Sequence, residues 1–502
     1  MTEINEKGPA SAGIAFRGRS ATKLFHELLL DAQSTFPAEF ESAPIPKSPT
    51  VFRKRFPDLL TQFEALRQRS EQRTEIARHI VQASASAFVL PKDGGKRPLA
   101  EALREEGKPL PLESRQFPGQ PGIRPGVRIG GRRHDGDALG TFLDTLHSAG
   151  QMTGAARNAL HWVIGRAEQS PQGIDLSGRR VAVLGAGAAL APVELLLQGG
   201  AEVLWLDLRG PDAALSRRED LAGSLHWPSA GADLIAEPCQ VLRTIETFAA
   251  EGPVDLCLFA YAPGRGREWL LTASMNAIVH ALPREAVSSL SLFISPASPL
   301  RLTADEVARA ERQRRGAPIW KKSMAGLGLL GRGTGHHAEG PVAVSRAVIS
   351  MQGACYQAAQ YIDKILAAET WSTWGAPNDP LPAPFHVSAN TAAITATPSM
   401  QKPVFEVAFR GAPAFDIDIF EPSTTKDLNG LLMLRDWLDP ASPGNPARDF
   451  ARALDRIEAM DAIKIHGGAH GIAYPAEPTI RMSALVSLAR HPGQLLRLMR
   501  GR

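Results

Sequence analysis

Arg179-Arg-Val-Ala-Val-Leu-Gly185-Ala-Gly187-Ala-Ala189-Leu-Ala191 is the stretch on which the reading of this chain turns. A short apolar run of strand type ends at two glycines and a series of alanines, and a stretch of helical character, Pro192 to Gln198, follows. Small residues let the backbone turn sharply and approach a pyrophosphate, whose charge a helix N-terminus favours. About twenty residues after Gly185, Asp207 closes the next apolar run, Val203-Leu-Trp-Leu-Asp207, where a carboxylate can bind the ribose hydroxyls of an adenosine. Strand, glycines, helix and acid in this order point to a dinucleotide. The candidate cofactor residues are Gly185, Ala186, Gly187, Ala189, Ala191 and Asp207. Asp207 favours NAD, because a carboxylate repels a 2′-phosphate, while Arg209 and Arg217 leave NADP open.

Outward from this stretch, further apolar runs alternate with helical segments. RRVAVLGAG, AEVLWLDLR, VDLCLFAYAP, SSLSLFISPAS and FHVSANTAAI are candidate strands, each bounded by glycine, proline or charge. Continuous apolar runs suit strands covered by helices on both faces, so the expectation is an α/β fold with a doubly wound parallel sheet over residues 171–475.

Upstream, the pattern differs. Residues 1–50 read as a lightly structured arm with one helix around Ala21 to Ala32. Between Val51 and Phe88, Phe52, Phe56, Leu59, Leu60, Phe63 and Leu66 recur at helical spacing. That stripe must bury against the downstream domain or a second subunit. Arg53, Lys54, Arg55, Arg67, Arg69, Arg73 and Arg78 cluster here with Asp58, Glu64, Glu71 and Glu75 interleaved, which reads as a solvated helix face. Residues 90–137 are rich in Gly, Pro and Arg without a period and read as an extended connector or a wrapping loop. Ala138 to Ala167 is helical, with breaks at Gly150 and Gly154. The tail, residues 476–502, is basic and amphipathic and reads as a packed helix.

At 502 residues the chain exceeds what one hydrophobic core usually supports. Its 44% apolar and 22% charged residues are those of a globular protein. A net charge of +4 does not make a nucleic-acid face. Cys239, Cys257 and Cys355 lie far apart, as in a reducing compartment, so the expected location is cytoplasmic. No secretory signal or transmembrane stretch is read. His336 and His337 have no third ligand at a telling spacing, and His466 and His470 read as strand-end residues, so no metal is expected.

The segments from Gly185 onward resemble the short-chain dehydrogenase/reductase family, a Rossmann fold. Its first turn, T-G-x-x-x-G-x-G, is matched by Leu184 to Ala191 with Gly185 kept and alanines at 189 and 191. Pro253 to Ala262, with Asp255 and Ala260, stands where the family has its G-x-x-D-x-L-V-N-N-A-G strand. Asn276 is similar to the helical asparagine that supports a relay water. Ser295 or Ser298 matches the serine that holds a substrate carbonyl. Tyr356-Gln-Ala-Ala-Gln360 lies where the family has Y-x-x-x-K, with glutamine for lysine. A neutral Gln360 can hold a ribose but cannot lower the tyrosine pKa. Lys364, three residues beyond Tyr361, or Lys321 or Lys322, are candidate substitutes. Val387 to Pro398 resembles the V-N-x-V-x-P-G strand and loop, with Thr397 matching a cofactor-contacting threonine, and Ala462 to Gly468 resembles the closing strand.

The resemblance implies an NAD(P)-dependent oxidoreductase interconverting a carbonyl and an alcohol, acting on a small-molecule substrate as a homo-oligomer. The alternative is a cofactor-sensing or scaffolding protein that has lost catalysis. Residues 299–344, inserted before the Tyr356 helix, are expected to form a lid or pocket wall, which points to a bulky substrate.

Overall fold

The strands read from the sequence become neighbours in one sheet. In chain order its strands are β1 (Leu112–Gln116), β2 (Arg180–Leu184), β3 (Glu202–Leu206), β4 (Ser224–Pro228), β5 (Val254–Leu258), β6 (Val287–Ile294) and β7 (His386–Thr391). They lie side by side in the order β7-β6-β5-β2-β3-β4-β1. All neighbours are parallel except β1, which runs antiparallel to β4 at the edge. The computed structural model describes residues 13–18, 20–92, 95–105, 107–212, 215, 218–262, 266–373, 384–400 and 403–491. Arg217 and the tail beyond residue 491 lie outside the described residues. The protein is thus a mixed α/β chain with a seven-stranded, mostly parallel sheet.

From β2 the chain steps outward to β3 and β4, then returns to the other side of β2 for β5, β6 and β7. Register aligns Leu184 with Leu206 on one side and with Leu258 on the other, so β2, β3 and β5 end flush. Crossover connections leave opposite faces on the two sides of such a reversal, and a crevice opens beyond the strand ends between β2 and β5.

Both faces of the sheet are covered. Ala182, Leu184, Leu204, Leu206, Leu256 and Leu258 belong to one buried apolar cluster, and the alternate residues Val181, Val183, Val203, Trp205 and Cys257 to another. This is the two-sided burial that continuous apolar strands require. On the first face lie α1 (Ala21–Thr35), α2 (Pro49–Arg69), α3 (Arg73–Ala85), α5 (Arg267–Ala281) and α7, which runs through Ala354–Gln360, a π turn at Tyr361–Leu366 and Ala367–Thr373. On the second face lie α4 (Gly154–Glu168) and α9 (Pro422–Leu438). The remaining helices used below are α6 (Ala304–Arg315), α8 (Pro403–Gly411) and α10 (Ala476–Arg490).

The helix expected around Ala21 to Ala32 is present as α1, and it packs on the rest of the chain. α1 buries Leu24, Phe25, Leu28 and Leu29, and the Phe25 ring meets Phe52 edge-on at 5.7 Å and Trp269 at 6.3 Å. The apolar stripe of α2 finds its partner within the same chain. The charge run also needs correction. Arg53, Lys54, Arg55 and Arg69 are exposed as expected, but Glu64, Arg67 and Arg73 are buried. Arg67 donates to both oxygens of Glu64 (2.7 and 2.8 Å) and of Glu369 (2.9 and 3.0 Å). Arg73 donates to Glu369 and Asp461 at 3.0 Å, and Tyr361 donates to Glu64. The side-chain fork of arginine matches these carboxylates, which makes burial of the charges tolerable.

Residues 90–137 are likewise more than a connector. Phe88–Lys92 pairs with Gly95–Pro98, Gly126–Ile129 pairs with Arg132–Asp135, and Leu112–Gln116 becomes β1. All five β1 side chains are exposed, so this strand is held by backbone pairing and leaves no apolar signature. The break in Ala138 to Ala167 falls where expected, with helices over Gly136–Ser148 and Gly154–Glu168 and Gly150 at φ +65°. The segment read as a closing strand makes only isolated bridges, Lys464 with Thr391 and Ile465 with Met152. Among the described residues, no helix is long and apolar enough to cross a membrane.

Candidate functional site

A cavity of about 700 Å³ lies beyond the ends of β2, β3, β5 and β6 and takes residues from each. Such pockets commonly hold small molecules or cofactors.

One wall is the loop after β2. Gly185 has φ +85°, and a Cβ there would lie 2.2 Å from the Ala260 backbone. Only glycine lets β2 and β5 approach this closely. Gly187 is exposed, and its N–H donates to Asp207 Oδ2 at 3.0 Å, clasping the loop to the end of β3. Gly185, Gly187, Ala189, Asp207, Ala260 and Thr397 line the cavity. Ala186 and Ala191 are buried and turn into the core instead, so only one of the two substituting alanine methyls faces the open space. Arg209 is exposed away from the cavity, its carbonyl accepting from Trp205 Nε1 at 2.7 Å. Helix follows the loop only over Val193–Gln198.

The opposite wall carries Ser295 and Tyr356, side by side near enough for Ser295 to act on the tyrosine hydroxyl. Burial pushes the Tyr356 hydroxyl far above its ordinary pKa; Ser295 opposes this and the carboxylate of Glu268 adds to it. Gln360, also lining the cavity, is a strut: its Oε1 accepts from Ser295 N–H (3.3 Å) and its Nε2 donates to Glu268 (3.2 Å). Ser298 does not line the cavity; it is fully buried, its carbonyl accepting from Ser345 Oγ at 2.9 Å. Asn276 is also set back, its Nδ2 donating to the Asp363 carbonyl at 3.0 Å.

Of the candidate cations, Lys364 reaches the cavity and the others do not. Lys321 pairs with Asp416 at 3.1 Å, and neither it nor Lys322 lines the space. Tyr356, Gln360 and Lys364 stand at four-residue steps on α7. The π turn holds about one residue more per turn than an α-helix, which keeps the third member nearer the face of the first two. Tyr361 points elsewhere, to Glu64. The Lys364 ammonium lies 3.9 Å from Glu268, and burial lowers its pKa against the pull of Glu268 and Asp363. Glu268 itself lines the cavity, accepts from Ala262 N–H at 2.7 Å, and has its pKa raised by burial. Sequence reading missed it, although an acid among the apolar residues of α5 is an available signal.

Asp363, beside Lys364, accepts from Thr272 at 2.7 Å, and burial pushes its pKa up to about 7 from 3.8. A carboxyl protonated more readily in the folded than the unfolded chain contributes stability below its unfolded pKa, lost as pH rises through the folded one. Asp363→Asn is therefore expected to stabilise the protein more at pH 8 than at pH 4, by on the order of 4 kcal/mol for a shift of about three units. Urea melts at the two pH values measure the difference, and equal effects at both would contradict it.

The inserted residues 299–344 do not wall the cavity: among the described residues, none of them lines it. They contribute α6, whose Glu306 is buried with Lys464, His466 and His470. Ligand-type atoms of Glu306, His466 and His470 lie within 4.8 Å of one another, a cluster the strand-end reading of the histidines missed because its acid comes from a distant segment. Lys464 Nζ sits 2.7 Å from Glu306, and Gly468 N–H donates to His466 Nδ1 at 3.1 Å, which leaves Nε2 to carry the ring proton. Burial would raise the Glu306 pKa, but Lys464 and the His470 bond hold it well below the usual carboxylate range. The carboxylate thus already has its counter-charge. His336 and His337 stand apart in the hairpin His336–Glu339/Val342–Ser345.

No protein-family model and no curated protein matches the chain.

Proposed function

We propose that the chain is an NAD(P)-dependent oxidoreductase of short-chain dehydrogenase/reductase type, working in the direction of carbonyl reduction. The observation that carries this reading is one cavity, at the point where strand order reverses, that takes Gly185, Gly187 and Asp207 on one side and Ser295 with Tyr356 on the other. The six parallel strands, counted in chain order, run 3-2-1-4-5-6 across the sheet, the order of a Rossmann fold, in which ligands bind outside the carboxyl ends at that reversal.

A dinucleotide fits the residues present: the open Gly187 and Ala189 face the cavity, and the Ala191 methyl is turned away. Gly185, Gly187 and Ala189 would hold its phosphates, Asp207 the adenosine ribose, and Thr397 and Gln360 the nicotinamide end. When bound, it supplies hydride to the carbonyl carbon. Tyr356 then gives its proton to the carbonyl oxygen, and Ser295 orients that oxygen. Burial, with Glu268 adding to it, disfavours tyrosinate, so Tyr356 holds its proton and is set to give it to the carbonyl oxygen.

The same carboxylate favours the second reading, a cofactor-sensing protein without turnover, because the lysine in the cavity is paired to Glu268 rather than left to act on the tyrosine. Titration of NADH and NADPH fluorescence is expected to show binding of one or both, and no change with either removes both readings. Tyr356→Phe is expected to leave nucleotide affinity within about twofold and to slow carbonyl reduction by about 10²–10⁴. The wild-type rate is expected to stay level through neutral pH, since the tyrosine does not lose its proton there. A Tyr356→Phe variant with full activity would end the enzymatic reading.

A further inference from the structure

The cavity has two unlike halves. Its charged liners, Asp207, Asp233, Arg267, Glu268 and Lys364, come from the strand ends of the sheet and from α5 and α7. The other half is built by segments beyond the sheet. Ile349, Phe409 and Ile480, from the segment before α7, from α8 and from α10, pack in one apolar cluster, and Ile417 and Ile472 in a second, with Ala476 against both. α8 and α10 are held close, with Gly411 so near Ser483 that a Cβ would lie 1.8 Å from its carbonyl oxygen. Ala476 N–H donates to the Arg346 carbonyl (2.9 Å), which sets α10 beside the segment leading to Tyr356.

Among the described residues, this half is mainly apolar, and its polar side chains make bonds within the protein. The Thr395 hydroxyl is bonded to the Ala393 carbonyl and Thr425 (2.8 and 2.7 Å), and the Gln352 side chain to Gln357 (3.2 Å). Glu477, next to Ala476, is turned away to the Ser350 backbone and hydroxyl, both at 2.6 Å. His470, two residues before Ile472, faces the Pro296 carbonyl at 2.9 Å, so this apolar half adjoins the Ser295 segment. Met351, exposed and lining the cavity, marks where it opens.

We infer that this half binds the hydrocarbon chain of the substrate, so that the substrate class is an uncharged, straight-chain aliphatic carbonyl compound with its carbonyl at Ser295 and Tyr356. The inference rests on the proposed reaction for the placement of the carbonyl, and on the lining alone for the chain. A polar or charged tail would lose its water against these apolar side chains.

The test is calorimetric binding of the straight-chain aldehydes from butanal to dodecanal, with and without the oxidised cofactor, NAD⁺, which has no hydride to give, so that nothing turns over. The dissociation constant is expected to fall about fourfold with each added methylene, the factor equivalent to about 0.8 kcal/mol per buried CH₂, and then to level off. Ile480→Phe, which fills the chamber, is expected to bring the plateau to a shorter chain while leaving NADH affinity and the melting temperature unchanged. If that variant misfolds, Ala476→Leu from the same wall reads the same plateau. Affinity independent of chain length overturns the inference, and with NADH still bound it leaves the proposed reaction standing. A chain-length series that persists in a protein that binds neither NADH nor NADPH keeps the apolar site and ends the proposed reaction instead.

Discussion

Gly185→Ala is expected to destabilise the protein by about 2–6 kcal/mol and, on the proposed function, to abolish nucleotide binding. Two costs add at this position. A non-glycine residue at φ +85° carries strain of about 1–3 kcal/mol. The new methyl would also start 2.2 Å from the Cα and N of Ala260, so the ends of β2 and β5 must separate, an overpacking cost of about 1–3 kcal/mol more. The atoms in the way are main chain and cannot rotate aside. Separation would also shift the flush strand ends that carry Gly187 and Ala260 to the cavity. Urea denaturation and NADH titration of the same preparation check both effects, and a variant that melts with the wild type would refute the close approach of the two strands.

Glu369→Gln is expected to have the other large effect, about 3–5 kcal/mol, far from the cavity mouth. Glu369 takes hydrogen bonds from both Arg67 and Arg73, and neither guanidinium reaches water. The amide keeps the shape but removes the charge, leaving two buried cations to one remaining internal carboxylate, Glu64, and the partly exposed Asp461. Breaking a buried pair costs more than an exposed pair contributes. Arg53→Ala, on the exposed side of the same helix, is expected to stay within about 0.5 kcal/mol. The pH dependence has a definite sign. Burial alone would raise the Glu369 pKa, but Arg67 and Arg73 hold it below its ordinary value. A carboxylate depressed on folding contributes stability above its unfolded pKa, lost as pH falls through the folded one. Glu369→Gln should therefore flatten the acid limb of a stability curve, and an unchanged limb would assign the acid sensitivity elsewhere.

Much of the sheet was legible because two-sided burial writes apolar runs directly into the sequence. Val181 to Leu184, Val203 to Leu206 and Val254 to Leu258 could hardly be read otherwise. β1, with every side chain exposed, was illegible for the opposite reason, since backbone pairing alone holds that edge, and β4 buries only Leu225 and Pro228 around its polar His226, too little to make an apolar run. Charge was the poorest guide. Arg67 and Arg69 are two residues apart on one helix, yet one is sealed against Glu369 and the other faces Glu339 at the surface. The difference lies in what the chain returns 300 residues later, which no local pattern contains. Of the cavity-lining residues, Gly185, Gly187 and Asp207 were legible from their place after strands, and Ser295 and Tyr356 only through the family resemblance. Glu268, an acid among the apolar residues of α5, had a signal in the sequence, whereas the π turn that aligns Lys364 with Tyr356 has none.

The bonds from α2 and α3 to Glu369 end on the same helix that carries Tyr356 and Lys364. A shortened version starting near residue 171, where the sequence places the beginning of the nucleotide-binding part, would strip that helix of its cover and leave Glu369 without its cations. The smallest piece worth expressing begins ahead of Ser20, because what looks like a preface is the back wall of the helix that carries Tyr356.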